Sequence, residues 1–337
     1  MTFLFRKKYF KILLTLSLPL LFSSLFLWLA VRGMDIKKVQ IPLSKAKLSW
    51  IFLSSLFGIL AYIIRALRWN LLLKPLGYKI TFSNALWTLS LGYFMNLTLP
   101  RSGELARSTA LYKVEKVPVD LSFGTIILER MIDLLSMAIF GILALIFRYK
   151  AAVSFFHLTM PSYSTKHTHN IISFSYTQLG LVIIFFAIII FLYVNFRKKI
   201  LPFLRGVLSG VLSFQKIQNK NKFLFWSVGI WICYYLAAYL VCFALPETAN
   251  FSPMDGVFII VIGTLGMLAP ASGGIGAFHF ALKTGISALF LSQHKDPALG
   301  SAVGLSYAFL SHGIQMIIVI VMGCISFPML AKAKKVS

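Results

Sequence analysis

The residues that could do chemistry in this chain are ionisable groups set inside apolar sequence. Glu129, Arg130 and Asp133 lie within the apolar run 121–147. Glu129 and Asp133 are four apart and share a helical face, and Arg130 stands three before Asp133. On the insertion scale an ionised group at the centre of a membrane helix costs roughly 2.5–3.5 kcal/mol, so all three must face the protein interior and find partners. Arg65, Arg101 and Arg107 are the candidates. The expectation is either a functional ion site or a structural network nearer the cytoplasmic interface.

A second constellation surrounds a phrase that occurs twice. Pro100-Arg101-Ser102-Gly103 and Pro270-Ala271-Ser272-Gly273 each interrupt a long apolar run. Such a break reads as a broken helix, which survives at membrane depth only inside protein or beside a water-filled cavity. Two breaks in corresponding positions of two halves point to the binding site of a transporter-like protein. Ser102-Gly103 and Ser272-Gly273-Gly274 are expected to cap half-helices, whose free N–H groups and partial positive charge suit an anion such as a phosphate. Gly273, Gly274 and Gly276 would let the backbone approach closely. The structural alternative is a kink with small residues for helix packing.

Three further sets carry weaker signals. Arg101, Glu104 and Arg107, spaced by three, predict a charged wall of a cytoplasmic vestibule or an exposed interfacial helix. His279 and Lys283 are one turn apart, and His312 and Gln315 lie in the last apolar run. Each histidine is a proton-relay candidate or a satisfied packing residue. Arg65-Ala66-Leu67-Arg68-Trp69-Asn70 reads mainly as an interfacial anchor at a span's end. His157, His167 and His169 are too irregularly spaced for a metal site, and Cys233, Cys242 and Cys324 suggest neither disulfides nor ligands. No metal or cofactor is expected. No nucleophile–base pair, phosphate-binding loop motif or dinucleotide fingerprint appears.

The elements that position these residues follow from composition. The chain is 58% hydrophobic and 12% charged with mean hydropathy +0.84, which excludes a soluble globular class. Its net charge of +24 comes from basic residues at the ends of apolar runs, so it reads as orientation and headgroup contact rather than nucleic-acid binding. Full spans are predicted at 12–31, 48–67, 121–147, 177–196, 223–245 and 300–328. The first is read as an uncleaved span. The loop 197–222 is strongly basic and reads as cytoplasmic, whereas 246–254 has no Lys or Arg and reads as external. Segments 82–112 and 255–292 then each return to their side of entry. The prediction is an all-α polytopic membrane protein with about six spans and two oppositely oriented re-entrant hairpins. They form an inverted repeat with tips near the midplane. The chain is read as one domain, 1–337, with repeat halves 48–147 and 223–328. The basic loop 32–47 resists this map, and eight full spans is the alternative.

Three motifs carry a family resemblance. Gly92-Tyr93-x-x-Asn96-x-x-x-Pro100-Arg101-x-Gly103-Glu104-x-x-Arg107, then Glu129-Arg130-x-x-Asp133, then Pro270-x-x-Gly273-Gly274-x-Gly276 resemble the lysylphosphatidylglycerol synthase transmembrane-region family, also called flippase-like or UPF0104 proteins. The resemblance runs from about Arg65 to Phe327 and implies the stand-alone membrane form, without aminoacyl-transferase activity. It implies handling or translocation of a lipid or lipid-linked substrate. Many relatives carry a Glu where this chain has His279, which leaves a carboxylate role there without support. Asn96, Pro100, Arg101, Ser102, Gly103, Glu104, Arg107, Glu129, Arg130, Asp133, Pro270, Ser272, Gly273, Gly274, Gly276 and His279 are the candidate substrate-binding residues.

The expected function is translocation or handling of an anionic lipid or lipid-linked substrate through a midplane cavity, in the inner (cytoplasmic) membrane with both termini cytoplasmic. Two alternatives stand: an intramembrane transferase on a polyprenyl-phosphate or phospholipid donor, and a non-catalytic membrane partner of an envelope enzyme. A homo-oligomer or envelope-enzyme partner is possible under any of these. Transport without an ATPase motif would be passive or ion-coupled.

Overall fold

The computed structural model describes residues 21–99, 101–159, 201–202 and 204–336. Every regular element among them is helical. In chain order these are α1, described over Leu21–Val31, α2 (Ile36–Ser44), α3 (Leu48–Leu73), α4 (Phe82–Thr98), α5 (Gly103–Glu115), α6 (Val119–Phe147) and α7 (Tyr149–Thr159). There follow α8 (204–211), α9 (Lys220–Cys242), α10 (Pro253–Met267), α11 (Ala277–Ser292) and α12 (Pro297–Val336).

Five segments are long and apolar enough to cross a bilayer: Leu48–Leu76, Val119–Phe147, Lys220–Cys242, Ser272–Ser292 and Pro297–Ala333. The chain is an all-α polytopic membrane protein. The expected span 177–196 lies outside the described residues, as do 12–20 of the first. The fourth segment differs in kind from the second. In its apolar window 72% of residues are buried inside the protein, against 6% for Val119–Phe147. The apolar side chains of α6, such as Leu134, Ile139 and Ile146, are exposed as lipid would require. Those of α11, such as Leu282, Ile286 and Leu289, form a core with α10 and α12.

Both predicted breaks are real interruptions, and each makes a hairpin: α4 packs on α5, and α10 on α11. In the first, α4 and α5 touch through Gly92 and Gly103. A Cβ on Gly103 would collide with the Gly92 carbonyl and the Asn96 amide, so this approach needs glycine.

The 40 residues of α12 give it a length of about 60 Å. Reading along it orders the whole molecule. Gly300 packs on Phe290 and Gly304 on Ile286, both in α11; Met316 meets Gly273; Gly323 packs on Phe94 of α4. Leu330 closes the series against Trp87 and Leu91 of α4 and Val114 of α5. The second hairpin therefore lies along the first half of α12 and the first hairpin along the second half. Their tips face each other, with Leu97 of α4 beside Gly273.

The far ends are fastened differently. At one, a Ser252–Asp255 capping box starts α10, and Arg148 at the end of α6 binds Asp255 at 2.6 Å. At the other, Thr81 caps α4 and Glu115 accepts from the Thr81 amide and Asn84.

Candidate functional site

The ion site forms where α3, α5, α6 and α9 converge. Arg65 and Arg68 are one turn apart on α3, and both reach Asp133 of α6. Arg65 Nη1 donates to Asp133 Oδ2 at 2.9 Å, and Arg68 Nη2 to Oδ1 at 3.1 Å. Arg65 Nε also donates to Tyr234 Oη of α9 at 3.0 Å, and Arg68 Nη1 to Ser227 Oγ at 3.4 Å. One turn earlier on α6, Glu129 Oε2 accepts from Arg107 Nη1 at 2.7 Å. The guanidinium carbon of Arg107 lies over the Trp69 ring, 3.5 Å from its centroid, and Trp69 is fixed by its Nε1–H bond to Thr125 Oγ1. The network is dry: Arg68 is 0% exposed, Glu129 1%, Arg65 4% and Arg107 5%. Charges so deeply buried persist only when paired, and here helical spacing brings both carboxylates to the arginines.

These observations correct three expectations. Arg65-Ala66-Leu67-Arg68-Trp69-Asn70 is not an interfacial anchor, because Arg65, Arg68 and Trp69 are buried and turned toward α6. Arg101 does not partner the carboxylates; it is exposed, with the left-handed φ of 63° that the tight tip imposes. Arg101 does not join Glu104 and Arg107 in one wall; only the latter two line a common pocket. Arg107 points inward, while Glu104 pairs with the half-exposed Arg130 at 2.7 Å.

The pairing is incomplete. Arg107 Nε and Nη2, Glu129 Oε1 and Glu104 Oε2 are buried without a hydrogen-bond partner. These groups surround one pocket, together with Arg65, Tyr93 and Asn96. Its volume is about 10 Å³, room for about one water. Glu104 and Arg130 stand at its edge.

The tips are built otherwise than expected. Ser102 precedes α5 but does not cap it. Its hydroxyl turns back to the carbonyls of Leu99 and Met95, and Asn96 Oδ1 instead accepts from the Gly103 amide at 2.8 Å. Ser272 does not cap either: its Oγ is buried without a partner, and its amide donates to Ser23 Oγ of α1 at 2.9 Å. The amides of Gly274, Ile275 and Gly276 also have internal acceptors. The second tip thus offers few free N–H groups to an anion. Its reversal depends on Gly273, Gly274 and Gly276, all at positive φ.

Pro270 is exposed, and Pro100 lies outside the described residues. His279 is buried at the second tip, where His312 of α12 joins it; sequence reading had not linked the two across their helices. His157 is exposed, and His167 and His169 lie outside the described residues. Among the described residues no group of three His, Cys, Asp or Glu is placed to hold a metal.

The family model of the lysylphosphatidylglycerol synthase TM region matches residues 16–323. A UPF0104 membrane protein of Methanocaldococcus jannaschii is 32% identical over 127 residues, which cover 36% of this chain and 38% of that protein. A UPF0104 membrane protein of Pyrococcus horikoshii is 26% identical over 145 residues, 42% of this chain and 41% of that protein. The matched part therefore spans about two fifths of each of these relatives. No solved structure matches.

Proposed function

Because the chain belongs to the lysylphosphatidylglycerol synthase TM region family, we propose that it handles a membrane lipid whose anionic, phosphate-bearing headgroup enters the pocket at Arg107. The observation that carries this reading is the unfinished pairing of Arg107. Four guanidinium groups, of Arg65, Arg68, Arg107 and Arg130, meet three carboxylates, of Glu104, Glu129 and Asp133, which leaves one cation in excess. Two donors of Arg107 remain free at the pocket. A buried donor without an acceptor is costly, and a phosphate oxygen is an acceptor that a planar guanidinium fits.

The pocket is too small for a headgroup in this state, at about 10 Å³. Admission of a headgroup would separate Glu104 from Arg130, the half-exposed pair, and leave the dry pairs below intact. We read the two hairpins as entering from opposite faces of the membrane, since their tips face each other along α12. The pocket would then lie beside the first tip at depth, and a lipid moving between leaflets would pass it. In this reading the headgroup is held by side chains and not by the tip amides. The transferase alternative requires a free carboxylate base. Both Asp133 oxygens are bound by arginine, and the two unpartnered oxygens at the pocket, Glu129 Oε1 and Glu104 Oε2, belong to carboxylates already ion-paired through their other oxygen, which favours transport.

The test is binding of short-chain phosphatidylglycerol to the purified protein, with diacylglycerol as control. Arg107→Gln is expected to weaken binding about tenfold or more, the worth of a charge-assisted hydrogen bond. Arg107→Lys should retain part of the affinity. Equal affinity for wild type and Arg107→Gln, both folded, would overturn the reading.

A further inference from the structure

The second tip holds a pair of buried imidazoles that the headgroup reading does not use. His279 of α11 is 6% exposed and His312 of α12 is 1% exposed, and their ring centroids are 5.1 Å apart. Each is tied to the tip backbone. His312 Nε2 is 3.0 Å from the Gly273 carbonyl oxygen, and His279 Nδ1 faces the Gly276 amide at 3.4 Å. A carbonyl can only accept and an amide N–H can only donate. His312 therefore carries its hydrogen on Nε2, and His279 keeps a lone pair on Nδ1.

We infer that His279 and His312 form a proton-binding site that takes up one proton, on His312, and thereby tightens the second tip. The asymmetry follows from the bonds. A proton on His312 enters at Nδ1 and leaves the bond to Gly273 in place, now charge-assisted and stronger. A proton on His279 would turn Nδ1 into a donor facing another donor, and would put a cation in the first turn of α11, where the helix dipole opposes it. Two cations at this separation repel, so the pair titrates as a unit and stops at one proton.

Burial opposes the charge on His312. Three groups offset it: the Gly273 carbonyl, the Phe278 ring 5.0 Å away, and the neutral ring of His279. Among the described residues, Lys283 is the charged side chain nearest to the pair in sequence. Helix α4 contains no Asp, Glu, Lys, Arg or His. Asp255 of α10 is engaged at the far end by Arg148, and Arg32, just after α1, stacks on Trp28. On α11 itself Lys283 is one turn beyond His279, and on α12 the remaining charges are lysines at its other end. Arg101 of the first tip is exposed. The tip can respond because its three glycines lie at positive φ and the Ser272 hydroxyl is buried unpartnered. The proton site stands apart from the headgroup reading; only its use as a coupling ion in transport would rest on that reading.

The experiment needs no lipid substrate. Amide hydrogen exchange of residues 271–280 is followed in the full chain in phosphatidylcholine nanodiscs between about pH 8 and about pH 4, corrected for intrinsic exchange. In wild type the corrected rate should fall roughly tenfold through one transition, the gain of a charge-assisted over a neutral bond. In His312→Gln, whose amide can still donate to Gly273, the folded protein should show no transition. In His279→Gln the transition should remain and move to lower pH, because the neutral ring that offsets the His312 charge is gone. A flat wild-type profile, or a transition that survives in His312→Gln, would overturn the inference. Neither outcome bears on phosphatidylglycerol binding at Arg107, so the two readings fail separately.

Discussion

Removing one carboxylate from a dry ion network strands the cations it neutralised. Asp133 is the sharpest case, since Arg65 and Arg68 both depend on it. Asp133→Asn should lower the unfolding free energy in detergent by about 3 kcal/mol or more, and Arg65→Gln added to it should restore part of that loss. Additive losses in the double mutant would show that the pair is not coupled. Much of this site was legible in the sequence. Glu129 and Asp133 share a helical face, and their cost in an apolar run demanded interior partners. The identity of those partners was only half legible. Arg68 sits where basic residues ordinarily anchor a span at the interface, and nothing local distinguishes a guanidinium turned inward from one turned to headgroups. Its contact with α6 crosses 65 residues of chain. The stacking of Arg107 on Trp69 was invisible for the same reason.

At the scale of elements, the two hairpins were the most readable part of the chain. A Pro-x-Ser-Gly phrase cannot continue an apolar helix, and the structure interrupts the helix at both copies. The chemistry of the tips was less readable. Serine before a helix ordinarily caps it, but Ser102 finds the Leu99 carbonyl nearer, and Asn96, seven residues back from Gly103, supplies the acceptor. What holds the first hairpin is the contact of Gly92 with Gly103. Gly103→Ala should therefore destabilise the protein by about 1–3 kcal/mol, as overpacking does. Gly141→Ala on α6, where a Cβ meets nothing within 4 Å, should be neutral or stabilising. Paired thermal melts in one detergent provide the comparison. Equal melting of both variants would mean that the hairpin arms separate easily.

At the scale of the whole molecule, α12 acts as a ruler on which the hairpins lie tip to tip. Charge asymmetry in the loops proposes a sidedness for this order, because 197–222 is basic and 246–254 carries no Lys or Arg. If the ends lie on opposite sides of the membrane, single cysteines at Asn250 and Gln293 should react with an impermeant reagent added outside, and one at Asn219 should not. Reaction of Gln293 only from the cytoplasm would reverse the second hairpin. The central claim, however, is that the pocket at Arg107 receives a phosphate. The most direct measurement is an experimental structure of the full chain in nanodiscs rich in phosphatidylglycerol. The account predicts headgroup density in hydrogen-bond contact with Arg107 Nε or Nη2, with Glu104 and Arg130 drawn apart. Lipid density confined to the outer surface, with the Arg107 pocket closed and the Glu104–Arg130 pair intact, would contradict it.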